Sequence, residues 1–503
     1  MKPSYKQARP EAAVNIPLAT KAKQVEAWLD ALPHGDPLAS AHALANYLAA
    51  HDSAQVAAAF RRQLFDIVAV GARRVLNTLE AEFRDMPLPM DANQLEHADH
   101  ALDLLGAAGD FCKRLILEFA ERSPPIFGEN PLPGHLGRFL HLQREVMDLC
   151  YLGHRQLPDG FWRDTHQTGL LLFDSGLAAA PDPTRPSATL GELYLALLLE
   201  ASADPYHLTE QERAWTLDVI ARYGNLARVE PVRTAAKGGV FGILAHEDKP
   251  PYPLSWQNEI QPNCELVMNT APLVRKLALI ISQLGRESGL SKAVPAPRQP
   301  GYKGLLQRLK SIWGGSSQRT TARHRPARSN QRTAIVGFYP IHLRLSDPGG
   351  PFDDAAMVSC QLVNESLGGM ALLVAKPVFR LKIGSLVCVG RGQGDAWNDI
   401  GLVRWFKTGP NGVLTFGIKY LHGKMRPCLW RLSGNGQDYP GLLAEPEKGR
   451  PRVARSLIMP ALRIDALARL EMRQGDERFA IKLAGKVEAL AEIDIFRCEQ
   501  DSA

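Results

Sequence analysis

The sequence predicts a multidomain α + β chain: an all-α N-terminal domain, then a small β-barrel, then a short β-rich C-terminal region. Three observations carry that prediction. Apolar residues recur at helical spacing from about Ile16 to Gly224. Pro, Gly, Ser and Arg then dominate residues 288–331 and interrupt the pattern. Beyond them, short β-branched and aromatic runs alternate with glycine-bearing turns. A chain of 503 residues has room for about two to four domains, each burying its own core.

The helical candidates, in order, are Lys21–Ala31, Leu38–His51, Ala54–Phe83, Asn93–Arg122, Leu136–His154, Thr189–Ala203 and Thr209–Tyr223. The third shows the logic. Phe60, Leu64, Ile67, Val68 and Val75 fall on one face, with Arg62 and Arg73 on the other, and Asp52 or Ser53 can cap the first turn. Leu157-Pro158-Asp159-Gly160 reads as a turn, with Phe161-Trp162 after it as an apolar anchor. The pattern suggests paired antiparallel helices in a solenoid-like array, although the period of about 34 residues common in such arrays is not evident. Residues 237–258 look like a short β-excursion, and a helix over Ala271–Glu287 closes the domain, which spans 1–290.

A basic linker is expected over 291–327. Within it, LLQRLKSIW gathers Leu305, Leu306, Leu309, Ile312 and Trp313 on one helical face. Such a stripe suits docking on the chain's own body better than lying on a membrane surface. The barrel is expected over 328–435, closed by a short helix at Met425–Gly434. The tail, 436–503, reads as strands SLIMPAL, ALARLEMR, FAIKLAGKV and AEIDIFRC, with Gly475-Asp476 as a hairpin turn.

The formal charge of +6 is not spread evenly. Residues 288–346 hold eleven Lys/Arg and no Asp or Glu, which leaves the rest of the chain near −5. The basicity therefore points to an anionic partner met at one segment rather than to a protein that coats nucleic acid. The seven cysteines stand singly without a C-x-x-C pair and read as buried or free thiols of a reducing compartment. MKPSYKQARPEAA lacks the apolar centre of a signal peptide, and no run approaches the roughly 18–20 apolar residues of a spanning helix. The expected location is cytoplasmic.

Within the basic stretch lies RTTARHRPARSNQR, Arg319 to Arg332, and about thirty residues further on comes VNESLGGMALLV. Arginine forks onto phosphate oxygens, stays charged at any relevant pH, and matches the O6/N7 edge of guanine. Asn364 and Ser366 are two apart on a strand-like segment and so share a face, where they present an amide and a hydroxyl to a base edge. Gly369 permits a positive φ or a close ligand approach that a side chain would block. Strand-like runs follow at KIGSLVCVG from Lys382, IGLVRWF from Ile400 and LTFGIKYL from Leu414.

Residues 328–421 resemble the PilZ family, small β-barrels that bind the bacterial second messenger cyclic di-GMP. The family pattern is two arginines four apart, then Asp/Asn-x-Ser-x-x-Gly. The resemblance implies ligand contacts from Arg328, Arg332, Asn364, Ser366 and Gly369. Arg319/Arg323 has the same spacing and remains an alternative, with Arg325 outside the spacing as a helper; Arg328/Arg332 is favoured because Arg332 directly precedes the β-rich run TAIVGFY. The resemblance further implies a non-enzymatic signalling effector of bacterial type, with cyclic di-GMP as ligand and no metal or cofactor. The helical domain is expected to carry an output or partner surface, and the resemblance does not say what it contacts.

Several motifs fail on context. Glu488-Ala489-Leu490 spells the name of the cyclic di-GMP phosphodiesterases, but too little chain follows for their metal-binding domain. His97 and His100 lack a third ligand. GRGQG (Gly390–Gly394) lies between barrel strands, outside the strand–helix setting of a dinucleotide loop. His246-Glu247-Asp248 reads as a polar turn. The competing class is a nucleic-acid binder that uses the basic linker, with Trp313 and Tyr339 stacking on bases.

Overall fold

The computed structural model describes residues 3–5, 18–53, 57–84, 86–120, 130–232, 240–254, 263–284, 301–315, 324, 331–349, 356–390, 397, 399–432, 436–446, 455–462 and 464–500. They belong to two compact units. The first comprises Met1–Met86, Met90–Pro205 and Glu210–Gln318; the second comprises Pro87–Pro89, Tyr206–Thr209 and Arg319–Ala503.

The first unit opens with α1 (Ala22–Asp30), α2 (Pro37–Ser53), α3 (Ala58–Ala81), α4 (Ala92–Ala120), α5 (Leu132–Leu152), α6 (Phe161–Asp174), α7 (Leu190–Ser202) and α8 (Glu210–Tyr223). The seven helices expected from apolar spacing are all present with shifted ends, as fraying and capping dictate. Helix α6 is additional; its apolar residues stand near its two ends, Phe161-Trp162 and Leu170 to Phe173, with a polar middle between them. Asp164, Thr165, His166, Gln167 and Thr168 are consecutive, polar and buried. The interior accepts them because each has a partner. Lys113 Nζ donates to Asp164 at 2.8 Å, Gln143 Nε2 to Thr165 Oγ1 at 2.8 Å, and His166 lies 2.9 Å from both Tyr194 Oη and Lys249 O. Asp248 reaches the helix start from 86 residues away and accepts from the Gly160 and Trp162 amides at 2.5 and 2.9 Å. The polar turn at 246–248 is thus a long-range helix cap.

Strands β1 (Arg228–Pro231), β2 (Val240–Ile243), β3 (Tyr252–Pro253) and β4 (Leu266–Asn269) form a small sheet in the order β1-β4-β2-β3. It contains the expected β-excursion. Helices α9 (Ala271–Leu284) and α10 (Tyr302–Trp313) follow. Leu305, Leu306, Leu309 and Trp313 of α10 are buried in the first unit. The Trp313 indole N–H donates to Leu199 O at 3.1 Å, and Trp313 O accepts from Thr270 Oγ1 at 2.6 Å. The expected 291–327 linker therefore contains a docked helix, and its apolar stripe is buried against the chain's own core. With Trp313 fully buried, it has no face to offer a base. Among the described residues no helix is long and apolar enough to cross a membrane, and the seven cysteines are buried and unpaired in disulfides.

The second unit holds two closed, six-stranded antiparallel barrels. The first is built from β5 (Gln331–Val336), β6 (Met357–Ser366), β7 (Gly369–Val374), β8 (Leu386–Gly390), β9 (Asp399–Thr408) and β10 (Leu414–Tyr420), in the order β10-β7-β6-β5-β8-β9. The run TAIVGFY is divided. Its strand ends at Val336, Gly337 takes φ 102°, and α11 (Phe338–Ser346) begins. The second barrel contains β11 (Lys424–Leu432), β12 (Tyr439–Glu445), β13 (Ser456–Pro460), β14 (Arg469–Gln474), β15 (Glu477–Ala489) and β16 (Ile493–Gln500), in the order β11-β12-β13-β16-β15-β14.

Two expectations change here. Met425–Gly434 does not form a helix: Lys424–Leu432 is a strand that pairs with both β12 and β14. Consequently the C-terminal tail is a closed barrel that starts before residue 436. The Gly475-Asp476 hairpin turn is present, with Gln474 facing Glu477 and Gly475 at φ 58°.

Three apolar layers hold this unit together. One fills the first barrel around Leu362, Leu372, Phe406 and Phe416. Another fills the second around Trp430, Leu457, Ile481 and Phe496. Between them, Ile335, Leu386, Ile400 and Leu402 from the first barrel pack with Phe338 and Ile341 of α11 and with Leu442, Ile458, Ile493 and Ile495 from the second. The alternation of strands explains this arrangement, since successive side chains of β5 and β8 serve opposite faces.

Candidate ligand site at the first barrel

Strand β6 carries the Asn-x-Ser-x-x-Gly sequence to its end and turns into β7 through Leu367-Gly368, with Ser366 facing Gly369. Val358, Cys360 and Leu362 point into the barrel. A register shift between Leu362 and Asn364 then marks a bulge, which re-aims the residues that follow. Asn364 faces Ala371 and Ser366 faces Gly369, so the two share one side of the β6–β7 ribbon. Glu365 between them faces Met370, which lines the barrel core. Its carboxylate accepts from Tyr420 Oη at 2.8 Å.

Ser366 Oγ closes the hairpin. It donates to Gly369 O at 3.2 Å and accepts from the Gly368 amide at 3.4 Å. Gly369 is needed for space. A Cβ there would lie 2.0 Å from Ile418 O on β10, so the close approach at this position is made by a neighbouring strand, where a ligand was expected. Gly369 is not among the positive-φ residues; the positive-φ alternative does not apply, because the two-residue turn places its corners at 367 and 368.

Arg332 begins β5 opposite Cys360, on the side that continues inward as Ala334 opposite Val358. One guanidinium nitrogen donates to Gln331 O at 2.8 Å. Burial pushes the Cys360 thiol up to about 12, and the nearby Arg332 charge pulls in the opposite direction. Arg319, Arg323, Arg325 and Arg328 lie outside the described residues.

His324 is described, and sequence reasoning passed over it. Its backbone forms a β-bridge with Glu365: the His324 amide donates to Glu365 O at 2.8 Å, and the Glu365 amide to His324 O at 3.0 Å. This bridge sets the backbone of His324 beside β6 between Asn364 and Ser366. Backbone pairing leaves no residue-type signature, and Glu365 occupies a variable place in the motif, so neither residue stood out. The structure thus brings Arg332, the Asn364/Ser366 face, Glu365, Tyr420 and the His324 backbone to the ends of β5, β6 and β10.

The discarded motifs are accounted for locally. Glu488 holds Arg404 in a two-pronged ion pair. His97 bonds to Asn93 O at 2.8 Å, and no group of three His, Cys, Asp or Glu side chains suited to a metal occurs among the described residues.

Residues 23–234 match the family model described as the N-terminal domain of the cyclic-di-GMP receptor FimW. The match lies wholly before the barrel that resembles PilZ proteins and is consistent with that resemblance, since both concern cyclic di-GMP receptors. No curated protein matches the chain.

Proposed function

We propose that the chain is a cyclic di-GMP-binding effector that receives its ligand at the first barrel, at the mouth formed by β5, β6 and β10. The observation that supports this reading is the His324–Glu365 bridge, since His324 belongs in sequence to the stretch richest in arginine and its backbone pairs with β6 between Asn364 and Ser366. Cyclic di-GMP offers two phosphates and two guanines. Arginines answer the phosphates and the O6/N7 edges, while an amide and a hydroxyl on one strand face complete a base-edge reader. The family match at 23–234 supports the reading from the other half of the chain.

In this proposal the ligand-binding set is Arg332 and Arg328 with Asn364 and Ser366. Arg323 and Arg325 flank His324 in sequence and are the alternatives. Gly369 supports the site by admitting β10. The helical unit carries the surface for a protein partner, and ligand transmits to it only by favouring one arrangement energetically. The setting is a bacterial cytoplasm, and no catalytic step is invoked.

Titration calorimetry with cyclic di-GMP, cyclic di-AMP, GMP and a short DNA duplex tests the reading. Selective heat with cyclic di-GMP is expected, since a site built on hydrogen bonds rejects mismatched edges. Equal binding of cyclic di-AMP removes guanine readout. Binding that favours DNA and falls steeply with salt restores the nucleic-acid alternative.

A further inference from the structure

Residues Pro3–Tyr5 sit on the helical unit as an extended peptide sits on a receptor. Pro3 is buried, Ser4 exposed and Tyr5 partly buried. The Ser4 amide donates to Gln167 Oε1 at 2.8 Å. Tyr5 Oη lies 3.1 Å from Thr168 Oγ1, and its ring meets Phe139 of α5 with centroids 6.0 Å apart.

The floor under this segment is organised by bonds that owe nothing to it. Gln167 Nε2 donates to Ala245 O at 2.7 Å, which orients the amide and turns Oε1 toward an incoming N–H. Thr168 donates its single hydroxyl proton to Asp164 O at 3.0 Å. Its oxygen is therefore left to accept, and Tyr5 is the donor. Two adjacent, buried residues of α6 present two pre-aimed acceptors. One is matched to a backbone amide and the other to a phenol one residue later. Pre-aimed acceptors in a buried floor are what a binding seat requires, since little ordering remains to be done when the ligand arrives.

We infer that α5 and α6 form a docking seat for an extended segment presenting a tyrosine hydroxyl directly after a free backbone amide, and that this chain's own Pro3–Tyr5 occupies it. A partner reaching the helical unit through a segment of that chemistry must displace the resident. The apparent affinity for any such segment is then reduced by the fraction of time the seat is empty.

The test uses a fluorescent peptide of residues 1–8, MKPSYKQA, and three proteins: the full chain, the chain lacking residues 1–5, and the full chain with Tyr5→Ala. Anisotropy should show the peptide binding the truncated and Tyr5→Ala chains about tenfold or more tighter than the full chain, because both empty the seat. A peptide with Tyr5→Phe should bind about two- to tenfold more weakly, the loss of one hydrogen bond, and one with Tyr5→Ala should not bind. The inference is overturned if all three proteins bind the peptide alike or not at all. It is equally overturned if circular dichroism shows that truncation and Tyr5→Ala both unfold the helical unit, since Pro3–Tyr5 would then be part of the core and not an occupant.

Discussion

The two barrels have the same strand number, the same closure and the same antiparallel pairing, yet they treat their arginines differently. On the second barrel three basic side chains are matched with carboxylates of the same barrel. Arg431 meets Glu471, with Nε to Oε2 at 2.7 Å; Arg473 lies 3.3 Å from Asp438; Lys486 lies 2.8 Å from Asp494. On the first barrel Arg332 donates to the Gln331 carbonyl, Arg404 pairs with Glu488 of the second barrel, and His324, which bridges to β6, comes in sequence from a stretch with no acidic residue. The second barrel's pairs lie within that barrel, whereas the sequence bordering the first is rich in arginine, the composition that suits a dianionic ligand. The closed barrel is therefore shared scaffolding, and function is set by what is placed at its rim.

The largest expected effect comes from a glycine. Gly369→Val forces a side chain into Ile418 O, a backbone atom that cannot swing aside, and should destabilise the second unit by about 3 kcal/mol or more. Gly368→Ala, one residue away with open space around it, should change stability by less than about 0.5 kcal/mol. Denaturant midpoints of the two variants compare them directly. Similar midpoints would mean that β7 and β10 do not approach as closely as described.

Next in size is the charge contrast. Arg332→Ala should weaken cyclic di-GMP binding by about 1.5–3 kcal/mol, as loss of a charge-assisted contact does. Arg473→Ala on the second barrel should leave the affinity unchanged. Calorimetry on both variants breaks the comparison if the order is reversed. Ser366→Ala should weaken binding by about 1 kcal/mol. It also removes a hairpin contact to Gly369 O, so the same titration needs a melting curve beside it.

How much of this was legible from sequence depends on what kind of signal each element leaves. Strands β8, β9 and β10 announce themselves as β-branched and aromatic runs between glycines, and α1–α5 by apolar spacing. Helix α6 does not, because the middle of its buried run, Asp164 to Thr168, is polar and stabilised by hydrogen bonds that only the fold supplies. Strand β11 misleads for the opposite reason. Met425, Leu429 and Leu432 fall at helical spacing, while the packing follows Cys428 and Trp430, which are two apart and buried. At the site, Asn364 and Ser366 could be placed on one face because strands alternate. The need for glycine at 369 was readable, but the atom that creates it, Ile418 O, is a tertiary fact. His324 is invisible for the same reason, since its contribution is a backbone bridge.

A smaller contrast concerns glycine in the second barrel. Gly475 has nothing within 4 Å but sits at φ 58°, so its constraint is conformational where that of Gly369 is steric. Gly475→Ala should cost about 1 kcal/mol, well below Gly369→Val, and a melting curve checks the ranking.

The smallest effect tests whether the barrels can be compared as separate bodies at all. Arg404 on β9 and Glu488 on β15 tie them with two parallel hydrogen bonds, one of 2.9 Å. Both side chains are about 30% exposed, so solvent screening limits the pair to about 1 kcal/mol or less. Arg404→Ala and Glu488→Ala should therefore each lower the unfolding midpoint slightly, and the double variant should lose less than their sum, because the second change removes a partner already gone. The shape of the transition matters more than its position. The layer of Ile335, Leu386, Ile400 and Leu402 against Leu442, Ile458 and Ile495 is apolar and fully buried on both sides. It should keep the barrels unfolding together even without the ion pair. A single transition that moves slightly supports that view. Splitting into two transitions on loss of Arg404 would mean that the ion pair, and not the apolar layer, couples the first barrel to the second.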